Sequence, residues 1–187
     1  MIVLWSDPRL ARIPIRDSGE SLVDVRASAP LRVARQTFLR HGLVDRLVTA
    51  QSLLPRDVRL LIVDGYRPPA SPCRHSMCEP GPAGETCPVP ATVVPHPTGG
   101  AVDLTLSHEH DATVSLPACC TGPVPAADEE TRRLLTSALT AAGLVNYPAR
   151  WWHWSYGDRF WAGTTQAPHA RYGALPYSAV VAASHGS

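Results

Sequence analysis

Apolar positions along the chain fall into helical and extended patterns that alternate along its length. Between Leu31 and Leu54 they recur at helical spacing, with Leu39, Leu43 and Leu47 on one line and Val44 and Val48 beside it. Gly42 reads as a break between two helices there, and Pro55 as the stop. A second amphipathic helix spans Ala127 to Ala142, with Asp128 as N-cap, Glu129 and Glu130 in the first turn, and a stripe of Leu134, Leu135, Ala138 and Leu139 ending at Gly143. Val58 to Val63 is apolar on nearly consecutive positions, as in a strand buried on both faces. Ala101 to Leu106, Leu144 to Tyr147 and Trp151 to Tyr156 read as further strands, the last two separated by Pro148. Ile2 to Trp5 reads as a short strand, and the following thirty residues as irregular.

Composition narrows the class. A chain of 187 residues fits one domain with a proper core, taken as residues 1–187. Lys and Arg number 17 against 16 Asp and Glu and are scattered, so neither a nucleic-acid nor a membrane-surface footprint is present, and a small-molecule partner is expected. Asp7, Pro8, Arg9 and Arg12 interrupt the first apolar run before a signal-peptide core forms. No stretch approaches the roughly 20 apolar residues of a membrane span, so the expected location is the cytoplasm. The five cysteines, Cys73, Cys78, Cys87, Cys119 and Cys120, are an odd set, read as thiols or metal ligands rather than a disulfide framework. Residues 71–95 form a Cys- and Pro-rich stretch, expected to be a loop near the active site in preference to a structural metal site on Cys73, His75, Cys78 and Cys87. Residues 178–187 read as a flexible tail.

Three separated stretches carry candidate chemistry. The buried strand from Val58 exits into Asp64-Gly65-Tyr66-Arg67-Pro68-Pro69, a turn that displays Arg67; taken alone, a surface arginine beside a turn is the commoner case. His96 precedes the sharp turn at Gly99-Gly100 and Asp103 follows it, a spacing that can bring an imidazole and a carboxylate to one ion. In Arg150-Trp151-Trp152-His153-Trp154, three tryptophans surround one histidine, as in an aromatic wall that holds a ligand rigidly. His96, Asp103 and His153 together make a two-histidine, one-carboxylate set that leaves a zinc ion one open position.

With DGYRPPA at Asp64 to Ala70, HPTGGAVDLTL at His96 to Leu106 and WWHWSYGDRFWA at Trp151 to Ala162, the chain resembles the D-alanyl-D-alanine dipeptidases of the VanX type. These are zinc metallopeptidases of the superfamily that includes D-Ala-D-Ala carboxypeptidases and the sonic hedgehog N-terminal domain. The motif order is specific, and Ala170-Arg171-Tyr172-Gly173 adds weaker support. The resemblance implies a small α+β domain whose central antiparallel sheet carries the zinc site, flanked by helices. It makes His96, Asp103 and His153 the zinc ligands, and Arg67 the cation that stabilises an oxyanion.

Four departures all fall on the substrate side. The family's general-base glutamate, three residues before the last ligand, is here Arg150, which has no lone pair to accept a proton. Val94 stands where the family has a serine that helps bind the dipeptide. The stretch between Arg67 and His96 is shorter, and Cys119-Cys120 replaces an acid-containing loop. Val94, Cys119, Cys120 and Trp152 are accordingly the candidate substrate contacts, with Glu79, Glu85, Glu109 and Asp111 as candidates for a displaced base. The resulting expectation is a zinc enzyme acting on a dipeptide or small amino-acid-like molecule, with weak or absent D-Ala-D-Ala hydrolysis. Reassignment to isomerisation, cyclisation or elimination, and a non-catalytic zinc- or peptide-binding role, are the alternatives.

Overall fold

The computed structural model describes residues 3–28, 30–69, 93–108 and 129–184. In chain order the elements are α1 (Pro8–Arg12), β1 (Leu22–Asp24), β2 (Arg32–Val33), β3 (Phe38–Arg40), α2 (His41–Ser52), β4 (Val58–Asp64), β5 (Ala101–His108), α3 (Glu129–Ala141), β6 (Val145–Tyr147), β7 (Arg150–Ser155), α4 (Arg159–Thr165) and α5 (Ser178–Ser184). Among the described residues, five strands form one sheet in the order β2-β4-β5-β7-β6, and β1 pairs separately with β3. The expected antiparallel core is present as β4, β5, β7 and β6. β2 adds a parallel edge, which makes the sheet mixed. The architecture is α+β, helices flanking a sheet.

Helices α2 and α3 cover one face. Leu43, Val44, Leu47 and Ala50 of α2, and Leu135, Ala138 and Leu139 of α3, meet Leu60, Ile62, Val102, Leu104 and Trp154 from the strands in a single buried cluster. Burial of this apolar stripe, rather than helix propensity, holds both helices in place. Gln51 ties α2 to the sheet: its Nε2 donates to the Val58 carbonyl at 2.8 Å and its Oε1 accepts from Leu60 N at 2.7 Å.

Leu31 to Leu54 is not two helices. Phe38–Arg40 are extended and pair with Leu22–Asp24, and a single helix begins at His41. Leu39 and Leu43 mimic a helical repeat, but the first belongs to a strand. Gly42 lies in the first turn of α2 rather than at a break; its N–H donates to Glu20 Oε2 at 2.8 Å, a carboxylate placed against the positive end of the helix. The amino-terminal stretch expected to be irregular holds α1 and β1, and Val3 to Trp5 are not a strand. Asp128 lies outside the described residues. Ser178–Ser184, within the stretch read as a tail, form α5 against β1. No helix among the described residues is long and apolar enough to cross a membrane.

Candidate metal centre

On the sheet face turned away from α2 and α3, three neighbouring strands line up one row of polar side chains. Asp103 of β5 lies opposite His153 of β7 and opposite Asp64 of β4. Even alternation would send Asp64 to the helix side with Leu60 and Ile62. A register shift between Ile62 and Asp64 turns it to the other face. His96 comes from a 3-10 turn, His96–Thr98, that leads into β5 through Gly99 at φ +69°. A Cβ at Gly99 would lie 2.6 Å from Leu22, so the glycine serves both the left-handed turn and the close approach.

One ligand-type atom from each of His96, Asp103 and His153 lies within 4.8 Å of the others, and all three residues are buried. His153 Nδ1 is 2.8 Å from Asp103 Oδ1, and His96 Nε2 is 3.4 Å from the same oxygen. His96 Nδ1 donates to the Gly65 carbonyl at 2.6 Å, which leaves the Nε2 lone pair facing Asp103. Burial drives the His153 imidazole down to about 4 against the pull of Asp103, so the ring is neutral at pH 7. Burial would raise the Asp103 carboxyl, but its two imidazole neighbours, His96 and His153, outweigh it and hold the group well below the usual carboxylate range. Two imidazole nitrogens and one ionised oxygen therefore converge, a donor set that fits a borderline divalent cation such as zinc.

Arg67 is brought to this cluster rather than left on the surface. Its guanidinium reaches Asp103 Oδ2 at 3.4 Å, and its Nε donates to Asp64 Oδ2 at 2.6 Å. Asp64 also pairs with Arg35 at 2.8 Å and accepts from Gly65 N at 3.0 Å. Asp64 and Arg35 escaped the sequence reading. Asp64 stood inside a quoted motif, but nothing local announced the bulge that turns it toward the row.

The aromatic wall is not the one the sequence indicated. Trp154 is buried in the core with the helices, and Trp152 meets Trp151 edge-on at 5.7 Å. The indole against His153 is Trp5, edge to face at 4.8 Å, and Trp5 in turn stacks flat on Tyr147 at 3.6 Å. Arg150 lies with its guanidinium carbon 5.6 Å from the Trp5 ring centre. A bulge makes this possible: Tyr147 pairs with Arg150 while the adjacent Asn146 pairs with Trp154. The Asn146 amide faces the carbonyls of Arg150, Trp151 and His153 at 3.1, 3.1 and 2.9 Å, stitching the bulge. Val94, half-buried, packs against the cluster of Trp5, Val93 and Phe160. Cys119, Cys120, Cys73, Cys78 and Cys87, with Glu79, Glu85, Glu109 and Asp111, lie outside the described residues.

A family model described as D-ala-D-ala dipeptidase matches residues 27–171. The chain belongs to the D-Ala-D-Ala dipeptidase family. Two relatives bear the name D-alanyl-D-alanine dipeptidase. That of Synechocystis sp. (strain PCC 6803) is 29% identical over 109 residues, 47% of this chain and 44% of the relative. That of Escherichia coli (strain K12) is 30% identical over 112 residues, 51% of this chain and 54% of the relative. The chain thus spans about half the length of these relatives. The dipeptidase-family match contains His96, Asp103, His153, Arg67 and Arg150, whereas Trp5 lies before it.

Proposed function

We propose that His96, Asp103 and His153 hold a zinc ion and that the site acts on a dipeptide or a small amino-acid-like molecule. The alignment of Asp103 with His153 in one ladder, with His96 Nε2 aimed at the same carboxylate oxygen, carries this reading. Zinc held there supplies Lewis-acid polarisation of a carbonyl and of water. Arg67, fixed by Asp64, offers a permanently charged donor fork to an oxyanion. Val94, Trp152, Cys119 and Cys120 belong to the substrate side in this reading.

Arg150 sets the limit on hydrolysis. The family places a glutamate base at this position, and a guanidinium cannot accept the proton. D-Ala-D-Ala hydrolysis is therefore weak or absent. The placement of Arg150 over Trp5 favours a second reading, in which the arginine anchors a substrate carboxylate and the metal scaffold serves a non-hydrolytic isomerisation, cyclisation or elimination. Metal analysis should find about one zinc per chain, in line with the ligand set; equal zinc in wild type and His153→Ala would sink the metal assignment. An amino-acid release assay showing D-Ala-D-Ala turnover near the common enzyme median of about 10 per second would restore ordinary dipeptidase action.

A further inference from the structure

Two buried polar side chains lie behind His153. Ser155 is on the same face of β7 two residues on, wholly buried, with its Oγ 3.5 Å from His153 Nε2, the ring nitrogen turned away from Asp103. Asp158 follows after Gly157, whose φ of +78° turns the chain back and whose added Cβ would meet the Tyr172 ring at 2.6 Å. One Asp158 oxygen, Oδ1, accepts from Trp161 N at 2.7 Å and caps α4. The other, Oδ2, is buried without a formed hydrogen bond in a residue only 1% exposed. Ser155 lies three residues before Asp158, across the turn at Gly157, and both side chains are buried.

The tautomer of His153 connects these observations. A neutral imidazole has one N–H and one lone pair. In the metal-free ring Nδ1–H donates to Asp103; with an ion bound, the Nδ1 lone pair would turn to it, and the hydrogen would move to Nε2, where it needs an acceptor inside the protein. Ser155 Oγ, 3.5 Å from Nε2, is the candidate acceptor. Its own hydrogen then needs one, and a buried carboxylate oxygen left without a partner is a costly feature unless it is used.

We propose that Asp158 positions His153 for metal binding through Ser155: His153 Nε2–H donates to Ser155 Oγ, and the Ser155 hydroxyl donates to Asp158 Oδ2. This rests on the reading of His153 as a zinc ligand. Asp158 touches neither metal nor substrate and is a positioning residue. Gly157 and the α4 cap hold it in place.

The test is zinc affinity by chelator competition on wild type, Ser155→Ala, Asp158→Asn and the double variant, with thermal melts of the metal-free proteins as the folding control. Asparagine keeps an oxygen for the α4 cap. Each single variant should bind zinc about 10- to 100-fold more weakly, and the double variant no more weakly than the weaker single, because both act along one path. Long-range proton–nitrogen spectra of the zinc-loaded protein should show a slowly exchanging His153 Nε2–H in wild type that exchanges fast in both singles. Stoichiometric zinc in wild type, with folded single variants within about twofold of it, overturns the relay alone; independent, additive losses do the same. Failure of wild type to bind zinc overturns the metal reading and the relay with it.

Discussion

The proposed metal side and the proposed substrate side of this site are built by different means. His153 and Asp103 are fixed by the hydrogen-bond ladder of the adjacent strands β5 and β7, and His96 by a turn locked into β5. Arg150, Trp5 and Tyr147 meet across a bulge and a stack with an amino-terminal segment that precedes the family match. A ladder position cannot change partners without a register slip that turns a whole strand over. A bulge position can exchange its side chain while the ladder stands. Within one sheet, the donor set is thus tied to the fold, and the residue at position 150 is not.

The strongest way to break this comparison is Asp103→Ala. It should reduce zinc from about one per chain to none, since two imidazoles alone leave the site short of the usual three protein ligands. It should also abolish the metal-linked rise in stability, about 2.7 kcal/mol at free zinc 100 times the dissociation constant. Retained zinc in this variant would show that the strand row is not the metal side.

Arg150→Glu tests the other half. If the bulge holds position 150 where the family holds its base, the variant should gain D-Ala-D-Ala hydrolysis by about 10²- to 10⁴-fold, the usual contribution of a general base, in an amino-acid release assay. Zinc content should not change. No gain in a variant with full zinc would mean that the substrate side has been reshaped beyond one side chain.

The same division explains what the sequence revealed. β4, β5, β7 and α3 were legible because each carries its own periodicity, and the nearness of His96 to Asp103 because a turn and a strand give them a short spacing. Phe38–Arg40 was misread because Leu39 and Leu43 share a helical interval although only Leu43 is helical; pairing with Leu22–Asp24, 14 to 18 residues earlier in the chain, decides that stretch. Trp5 against His153, Arg35 on Asp64 and Asn146 across the bulge are long-range or irregular contacts, and no local pattern reports them.

Trp5→Ala sharpens the comparison from the amino-terminal side. The residue is 2% exposed and stacked on Tyr147, so its loss should cost about 3–5 kcal/mol in chemical denaturation. Arg150 would lose its platform, while zinc stoichiometry under native conditions should hold, because the ladder does not pass through Trp5. Loss of zinc from a folded Trp5→Ala protein would show that the two sides are one unit.

The smallest expected effect concerns Asp158 and pH. Burial raises its carboxyl from 3.8 to about 6, opposed chiefly by the hydrogen bond from Trp161 N–H. A raised folded value means that its contribution to stability is complete below 3.8 and is lost as pH rises through about 6. Asparagine has no such titration. Metal-free Asp158→Asn should therefore gain on metal-free wild type by on the order of 2–3 kcal/mol between pH 3.5 and pH 7, read from urea denaturation at both pH values. A difference independent of pH would show that the carboxyl is not held in a dry site. With the weaker zinc binding expected of the same variant, stability at neutral pH and metal affinity would move in opposite directions. A residue kept for packing alone would not separate them, whereas a buried carboxylate retained to orient His153 does.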